Sequence, residues 1–327
     1  ELYRDSCPIG VIGVIFEARP DALVQIASLC IKSGNAVLLK GGREALETNR
    51  ALFHALSAAA LEAGLPDGFA ALLETREDVA DMLSLDDCID LIIPRGSNAF
   101  VRHILDNSRI PVLGHADGIC HVYIDDSAQI DMAVRIAVDS KAQYVAVCNA
   151  AETLLVHAQV APAFWPALAE GMRAAGVALR GCPRACAQLA CAAATDADWD
   201  TEYLDYVLSV RVVDTLDEAI DHINRHGSGH TDAIVTRDEQ AASRFLQRVD
   251  SAGVYWNCST RFADGYRYGF GAEVGISTGK IHARGPMGLE GLCIYKYKML
   301  GHGQTVQEQL DGAWQYTHRS LPQDCPL

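Results

Sequence analysis

Apolar residues in this chain fall into short continuous runs separated by stretches with helical spacing. Residues 11–16 (Val-Ile-Gly-Val-Ile-Phe) form one such run, the mark of a strand buried on both faces, and residues 22–31 follow with apolar positions at helical intervals. A second strand is expected over 36–39 after the Ser-Gly-Asn turn. A helix over 44–63 then stops at Gly64, with Pro66 just beyond. Strands at 69–73, 91–93 and 111–113 alternate with helices at 77–83 and 97–106. Further strands are expected at 120–124, 153–157, 206–213, 233–236 and 253–256, with helices at 130–139, 161–175, 215–225 and 239–249 between them. Repeated strand and helix units imply parallel sheets covered on both faces, with ligands bound beyond the carboxyl ends of the strands. That rule directs attention to the loops 17–20, 40–43 and 94–97.

One stretch organises the chemistry. The helix at 130–139 leads into Cys148-Asn149-Ala150, and a strand follows, so Cys148 lies at a helix-to-strand junction. A thiol there can be reached by substrate and ringed by backbone N–H groups, which helps it to ionise and to hold a developing oxyanion. A packed core thiol is the plain alternative, because cysteine is among the most buried residue types and the chain has 11. Lys40-Gly41-Gly42-Arg43 places two cations beside a backbone that a ligand can approach closely, and Gly96-Ser97 opens a helix whose free N–H groups favour an anion. Together they read as a site for a phosphate-bearing cofactor, although no Gly-x-Gly-x-x-Gly fingerprint follows the first strand. Cys182, Cys186 and Cys191 lack paired metal-ligand spacing and sit among alanines, so loose helical packing is expected there and no metal site. Residues 257–286 are rich in glycine and charge, with aromatics among them, and read as an ordered loop bordering an anionic substrate.

Composition narrows the partners. The 327 residues, 50% hydrophobic and 21% charged, suffice for a large core split between two lobes. A formal net charge of −15 argues against nucleic acid or an anionic membrane as partner, but not against a small anion held by a local cluster of donors. Cysteines without regular pairing fit a reducing compartment, and no apolar stretch reaches the length of a membrane span, so a cytoplasmic, soluble protein is expected.

Several motifs in order carry a resemblance: residues 9–20 (Ile-Gly-Val-Ile-Gly-Val-Ile-Phe-Glu-Ala-Arg-Pro), 94–98 (Pro-Arg-Gly-Ser-Asn), 114–121 (Gly-His-Ala-Asp-Gly-Ile-Cys-His), Cys148-Asn149-Ala150 and residues 259–286. They resemble γ-glutamyl phosphate reductase, also called glutamate-5-semialdehyde dehydrogenase. This branch of the aldehyde dehydrogenase superfamily occurs alone or as the C-terminal half of pyrroline-5-carboxylate synthase. The resemblance implies an α/β, aldehyde-dehydrogenase-like fold of two lobes, each with a mostly parallel sheet flanked by helices. On this reading residues 1–113 form a nucleotide-binding domain lacking its N-terminal part, residues 114–298 the catalytic domain, and 299–327 a tail that is either an oligomerisation arm or a frayed end.

The resemblance also assigns residues. Cys148 matches the family nucleophile, which would attack the acyl phosphate of L-glutamyl 5-phosphate, expel phosphate and form a thioester that hydride from NADPH takes to glutamate 5-semialdehyde, a step of proline biosynthesis. Asn149 and nearby N–H groups would hold the oxyanion, and Arg19 would face the leaving phosphate. The cofactor set comprises Phe16, Glu17, Lys40, Gly41, Gly42, Arg43, Gly96, Ser97 and Glu202, with Lys40 on the adenosine ribose, Arg43 favouring the 2′-phosphate and Glu202 on the nicotinamide ribose. Arg261, Ser277, His282 and Arg284 are candidates for the glutamate moiety. The segment that opens with a general-base glutamate in hydrolytic relatives begins here with Leu113, as suits an enzyme that must reduce its thioester. Val145 stands where relatives commonly have proline. A homo-oligomer and functional coupling to a glutamate 5-kinase are expected from the same resemblance. A non-catalytic binding protein on this scaffold and a hydrolytic dehydrogenase are the competing readings.

Overall fold

The continuous apolar runs become parallel strands in two sheets. In the computed structural model, which describes residues 1–17, 19–321 and 324–326 apart from the Arg76 side chain, β1 (Leu2–Pro8) precedes the first α/β unit. That unit runs β2 (Val11–Phe16), α1 (Pro20–Ser33), β3 (Ala36–Lys40), α2 (Leu46–Glu62), β4 (Ala70–Leu73), α3 (Arg76–Ser84), β5 (Leu91–Arg95) and α4 (Asn98–Asn107). Its sheet has the order β4-β3-β2-β5, all parallel. Strand alternation divides the core: Ile12, Val14 and Phe16 pack towards Leu23 and Ile26 of α1, while Ile15 packs with Met82 and Ile104 on the other face. The strand expected at 111–113 is only a single bridge between Ile92 and Val112, because Pro111 has no N–H with which to extend a ladder.

The second unit runs β6 (Cys120–Ile124), α5 (Ile130–Ala142), β7 (Ala151–His157), α6 (Ala161–Ala174), β8 (Ala178–Gly181), α7 (Pro183–Cys186), β9 (Ala192–Ala193), β10 (Val207–Val213), α8 (Leu216–His226), β11 (Thr231–Val235), α9 (Glu239–Arg248) and β12 (Gly253–Trp256). Its seven strands are parallel in the order β12-β11-β6-β7-β10-β8-β9. Val122, Leu154 and Val210 face Phe164 and Leu168 of α6, and Tyr123, Leu155 and Ile234 face Ile223 of α8 and Phe245 of α9. Sequential βαβ units thus cover both faces, as the alternating pattern requires.

The chain then returns to the first lobe. β13 (Gly275–Ser277) and β14 (Gly285–Met287) form an antiparallel hairpin inside the glycine-rich loop, which the sequence pattern did not reveal. Val274, Met287 and Leu292 join the core built on β2 and α1, and Asn35 donates a hydrogen bond to the Leu292 carbonyl at 2.8 Å. β15 (Cys293–Met299) pairs antiparallel with β1 from Leu2–Met299 to Pro8–Cys293, and α10 (Val306–Leu310) is the last element. Pro322, Gln323 and Leu327 of the expected 299–327 tail lie outside the described residues, as does Ala18 of the 17–20 loop. Among the described residues no helix is long and apolar enough to cross a membrane.

Candidate active site

A cleft of about 810 Å³ is lined from one side by Phe16, Glu17, Arg19, Arg95, Gly96 and Ser97, and from the other by Cys148, Asn149, Glu202 and Arg261. It lies beyond the carboxyl ends of β2 and β5, where a parallel sheet of this kind leaves a crevice. A wider depression of about 1000 Å³ beside α5 and α6 holds none of the predicted site residues.

Cys148 sits on the irregular segment 143–150 between α5 and β7. Two features fix that segment. Lys141 at the end of α5 and Glu152 in β7 form a fully buried ion pair at 2.5 Å across the base of the loop, with burial pushing the Glu152 carboxyl up to about 7 against the pull of Lys141. Gly118 lies so close beneath Cys148 that a Cβ there would meet its carbonyl oxygen at 2.3 Å, so only glycine permits the approach.

The thiol has a partner that sequence reasoning missed. His230, just before β11, places Nε2 at 3.2 Å from Cys148 Sγ, while its Nδ1 is 2.9 Å from the Thr231 hydroxyl. Thr231 can accept from Nδ1–H, which leaves Nε2 as the acceptor for the thiol proton. His115 meets the His230 ring edge to face at 5.1 Å and is anchored through Nδ1 to the Ile276 carbonyl at 2.8 Å. Burial pushes the Cys148 thiol up to about 12, with Glu202 and Glu273 acting in the same direction and Arg95 against them. Burial, and then His115, hold His230 down at about 3. The resting pair is therefore a neutral thiol beside a neutral imidazole.

Four arginines line the cavity together with the carboxylates of Glu17, Glu202, Asp264 and Glu273. Burial and the neighbouring Arg19 hold Arg95 below the usual arginine range, and burial and Arg267 do the same to Arg261. Two pairs of guanidinium groups facing one cleft form a site that a multiply charged anion would relieve.

The aldehyde dehydrogenase family profile matches residues 2–180 and 193–283. The γ-glutamyl phosphate reductase of Pelotomaculum thermopropionicum is 64% identical over 324 residues, covering 99% of this chain and 75% of that protein. That of Acetivibrio thermocellus is 61% identical over 327 residues, covering 100% and 76%. The chain belongs to the γ-glutamyl phosphate reductase family. The crystal structure of γ-glutamyl phosphate reductase from Thermotoga maritima superposes with a TM-score of 0.91 at 41% identity, covering 93% of this chain and 74% of that one. An engineered glycolyl-CoA reductase with bound NADP+ shares the fold at a TM-score of 0.68 and 17% identity, covering 91% and 76%. Membership makes the chain an oxidoreductase of the aldehyde dehydrogenase superfamily.

Within this reductase fold the predicted residues divide. Cys148, Asn149, Arg19, Phe16, Glu17, Gly96, Ser97, Glu202 and Arg261 share the cleft. Asn149 commits a side-chain N–H to the Ala263 carbonyl at 2.8 Å, so it ties the loop at 259–264 to the segment that carries Cys148. Glu202 accepts from Asn98 Nδ2 at 2.6 Å. Lys40 ends β3 and Gly41, Gly42 and Arg43 follow it, all outside the cleft lining, with Lys40 Nζ donating to the Gly41 carbonyl at 2.6 Å and Arg43 exposed. Ser277 is buried one residue beyond the cleft-lining Ile276, and its hydroxyl has no hydrogen-bond partner. His282 and Arg284 are not brought to the cleft. The His282 ring reaches the Gly291 carbonyl at 3.1 Å, and Arg284 is drawn to Asp250 at 3.0 Å, because the β13–β14 hairpin turns their segment outward. Arg95 and Arg267 also line the cleft, Arg95 from the Pro-Arg-Gly-Ser-Asn segment at 94–98 and Arg267 from the glycine-rich loop.

Proposed function

We propose that this chain reduces L-glutamyl 5-phosphate to L-glutamate 5-semialdehyde with NADPH, releasing phosphate through a thioester on Cys148. The observation that carries the reading is the part-buried Cys148–His230 contact at 3.2 Å, beside a cleft whose lining includes four arginines.

A dinucleotide fits the other end of the cleft on one observation. The N-terminus of α4 already holds an anion, since the Glu17 carboxylate accepts from the Ser97 N–H at 2.8 Å, and Gly96 beside it is exposed. Gly96 and Ser97 would take the pyrophosphate in place of that carboxylate, Glu202 the nicotinamide ribose, and Lys40 and Arg43 the adenosine ribose with its 2′-phosphate, with Phe16 and Glu17 at the strand end beneath. When bound, the cofactor supplies a hydride to the acyl carbon.

His230 Nε2 takes the thiol proton, and Cys148 Sγ attacks the acyl carbon of the substrate. The bond from that carbon to the phosphate oxygen breaks, and Arg19, Arg95, Arg261 and Arg267 take up the charge of the departing phosphate. Leu113, itself 2% exposed, offers no base to activate water against the thioester. After hydride addition the carbon–sulfur bond breaks to give the aldehyde, and the His230 imidazolium returns its proton to the sulfur. Net, one hydride replaces one phosphate.

The test supplies L-glutamate, ATP and a glutamate kinase. NADPH oxidation matched by phosphate release is expected, and both vanish in Cys148→Ala; turnover surviving in that variant refutes the reading.

A further inference from the structure

We propose that the sulfur end of the cleft is also a binding site for a soft divalent transition-metal ion of the Zn2+ type, held by Cys148 Sγ and by Nε2 of His115 and His230, and that the ion inhibits by capturing the nucleophile. Metal binding stands on the geometry alone, whereas the inhibition rests on Cys148 carrying the reaction.

One ligand atom from each of His115, Cys148 and His230 lies within 4.8 Å of the other two, the sole such cluster among the described residues. The Sγ–Nε2 separation of 3.2 Å is already close to the roughly 3.3–3.8 Å that bonds of about 2.3 Å to sulfur and about 2.0 Å to nitrogen set across a tetrahedron. Both histidines also carry the outer contact that metal-bound imidazoles carry. Nδ1 of His115 is tied to the Ile276 carbonyl at 2.8 Å and Nδ1 of His230 to the Thr231 hydroxyl at 2.9 Å, so Nε2 is the nitrogen each has available. Two imidazoles and a thiolate without a carboxylate select zinc-like ions over magnesium or calcium. His115 and Cys148 line the cavity, with His230 buried behind them, so the cavity side leaves a fourth position for water. Glu202 and Glu273 line that cavity and offset part of the charge brought in, with Arg95 opposing them. On binding, the Cys148 thiol gives its proton to solvent and a metal–sulfur bond takes its place, so the sulfur lone pair that would attack the acyl carbon is occupied.

Co2+ serves as the probe, with the chelator-washed protein as reference. One Co2+ per chain is expected, with a near-ultraviolet thiolate-to-cobalt charge-transfer band and the intense visible bands of four-coordination, all erased by Zn2+. Cys148→Ala removes the charge-transfer band. His115→Gln weakens binding by more than about 100-fold, beyond what loss of an outer-shell partner costs. Zn2+ at one equivalent also blocks alkylation of wild-type Cys148 by iodoacetamide, reversibly with EDTA, a readout independent of how the variants fold. Cobalt bound without the charge-transfer band, binding unchanged in His115→Gln, or unhindered alkylation under stoichiometric Zn2+ each overturns the proposal. None of these readouts depends on turnover, so they separate it from the catalytic reading.

Discussion

The two ends of the cleft are built differently. At the sulfur end the working groups are assembled before any ligand arrives: Cys148 touches His230, Gly118 packs beneath its backbone, and the Lys141–Glu152 pair locks the loop at its base. At the nucleotide end the donors answer one another. Ser97 N–H is held by the Glu17 carboxylate in an exposed bond. A reaction centre must be rigid to within a fraction of an ångström, so its hydrogen bonds are made in advance and buried. A cofactor that enters and leaves at each turnover needs contacts that exchange, and exposed carboxylate-to-backbone bonds exchange at little cost.

Breaking the sulfur end should give the largest effects. Cys148→Ser is expected to lower kcat by roughly four orders of magnitude or more while NADPH affinity, read by fluorescence titration, stays within about twofold; loss of cofactor binding as well would show that the two ends are not separable. Lys141→Met leaves Glu152 as an unpaired buried carboxyl and should cost about 3–5 kcal/mol in urea unfolding. A cost under about 1 kcal/mol would mean that the pair does not hold the loop.

His230→Gln removes the proton acceptor and is expected to lower kcat by about 10²–10⁴-fold with little change in KM. The companion measurement is alkylation of Cys148 with EDTA present. Because burial pushes the thiol up to about 12, its thiolate fraction is small at neutral pH and climbs about tenfold per unit as pH rises, with no plateau before pH 10. A plateau near pH 7 would contradict a neutral resting pair.

At the nucleotide end the effects should be smaller. Arg43→Ser is expected to reduce the preference for NADPH over NADH by about tenfold in kcat/KM, the loss of one charge-assisted contact. Glu17→Gln removes the anion resting on α4 and should lower KM for NADPH by about two- to fivefold. A rise instead would show that Glu17 holds the cofactor directly.

The parallel units, and the strands at 11–16, 120–124 and 253–256, were legible because periodicity reports burial, and burial is local to each strand and helix. The Cys148 junction was legible for the same reason: a helix pattern gives way to a strand pattern around one thiol. β1, β15 and the β13–β14 hairpin were not, since their strands are short or largely exposed and their partners lie far away in sequence. His230 was invisible for a related reason. Nothing in Gly-Ser-Gly-His distinguishes a histidine that will meet a sulfur 82 residues earlier from any other loop histidine.

The order of apolar runs determined the parallel units, and the motifs at 9–20, 94–98, 114–121, 148–150 and 259–286 carried the family resemblance that singled out Cys148. Which side chains meet Cys148, which arginines share its cleft and which glycine lets the chain pass beneath it were decided only in three dimensions. Contacts between distant segments depend on how β6, β11 and the loop before β7 are brought side by side, and a linear pattern carries no term for that distance.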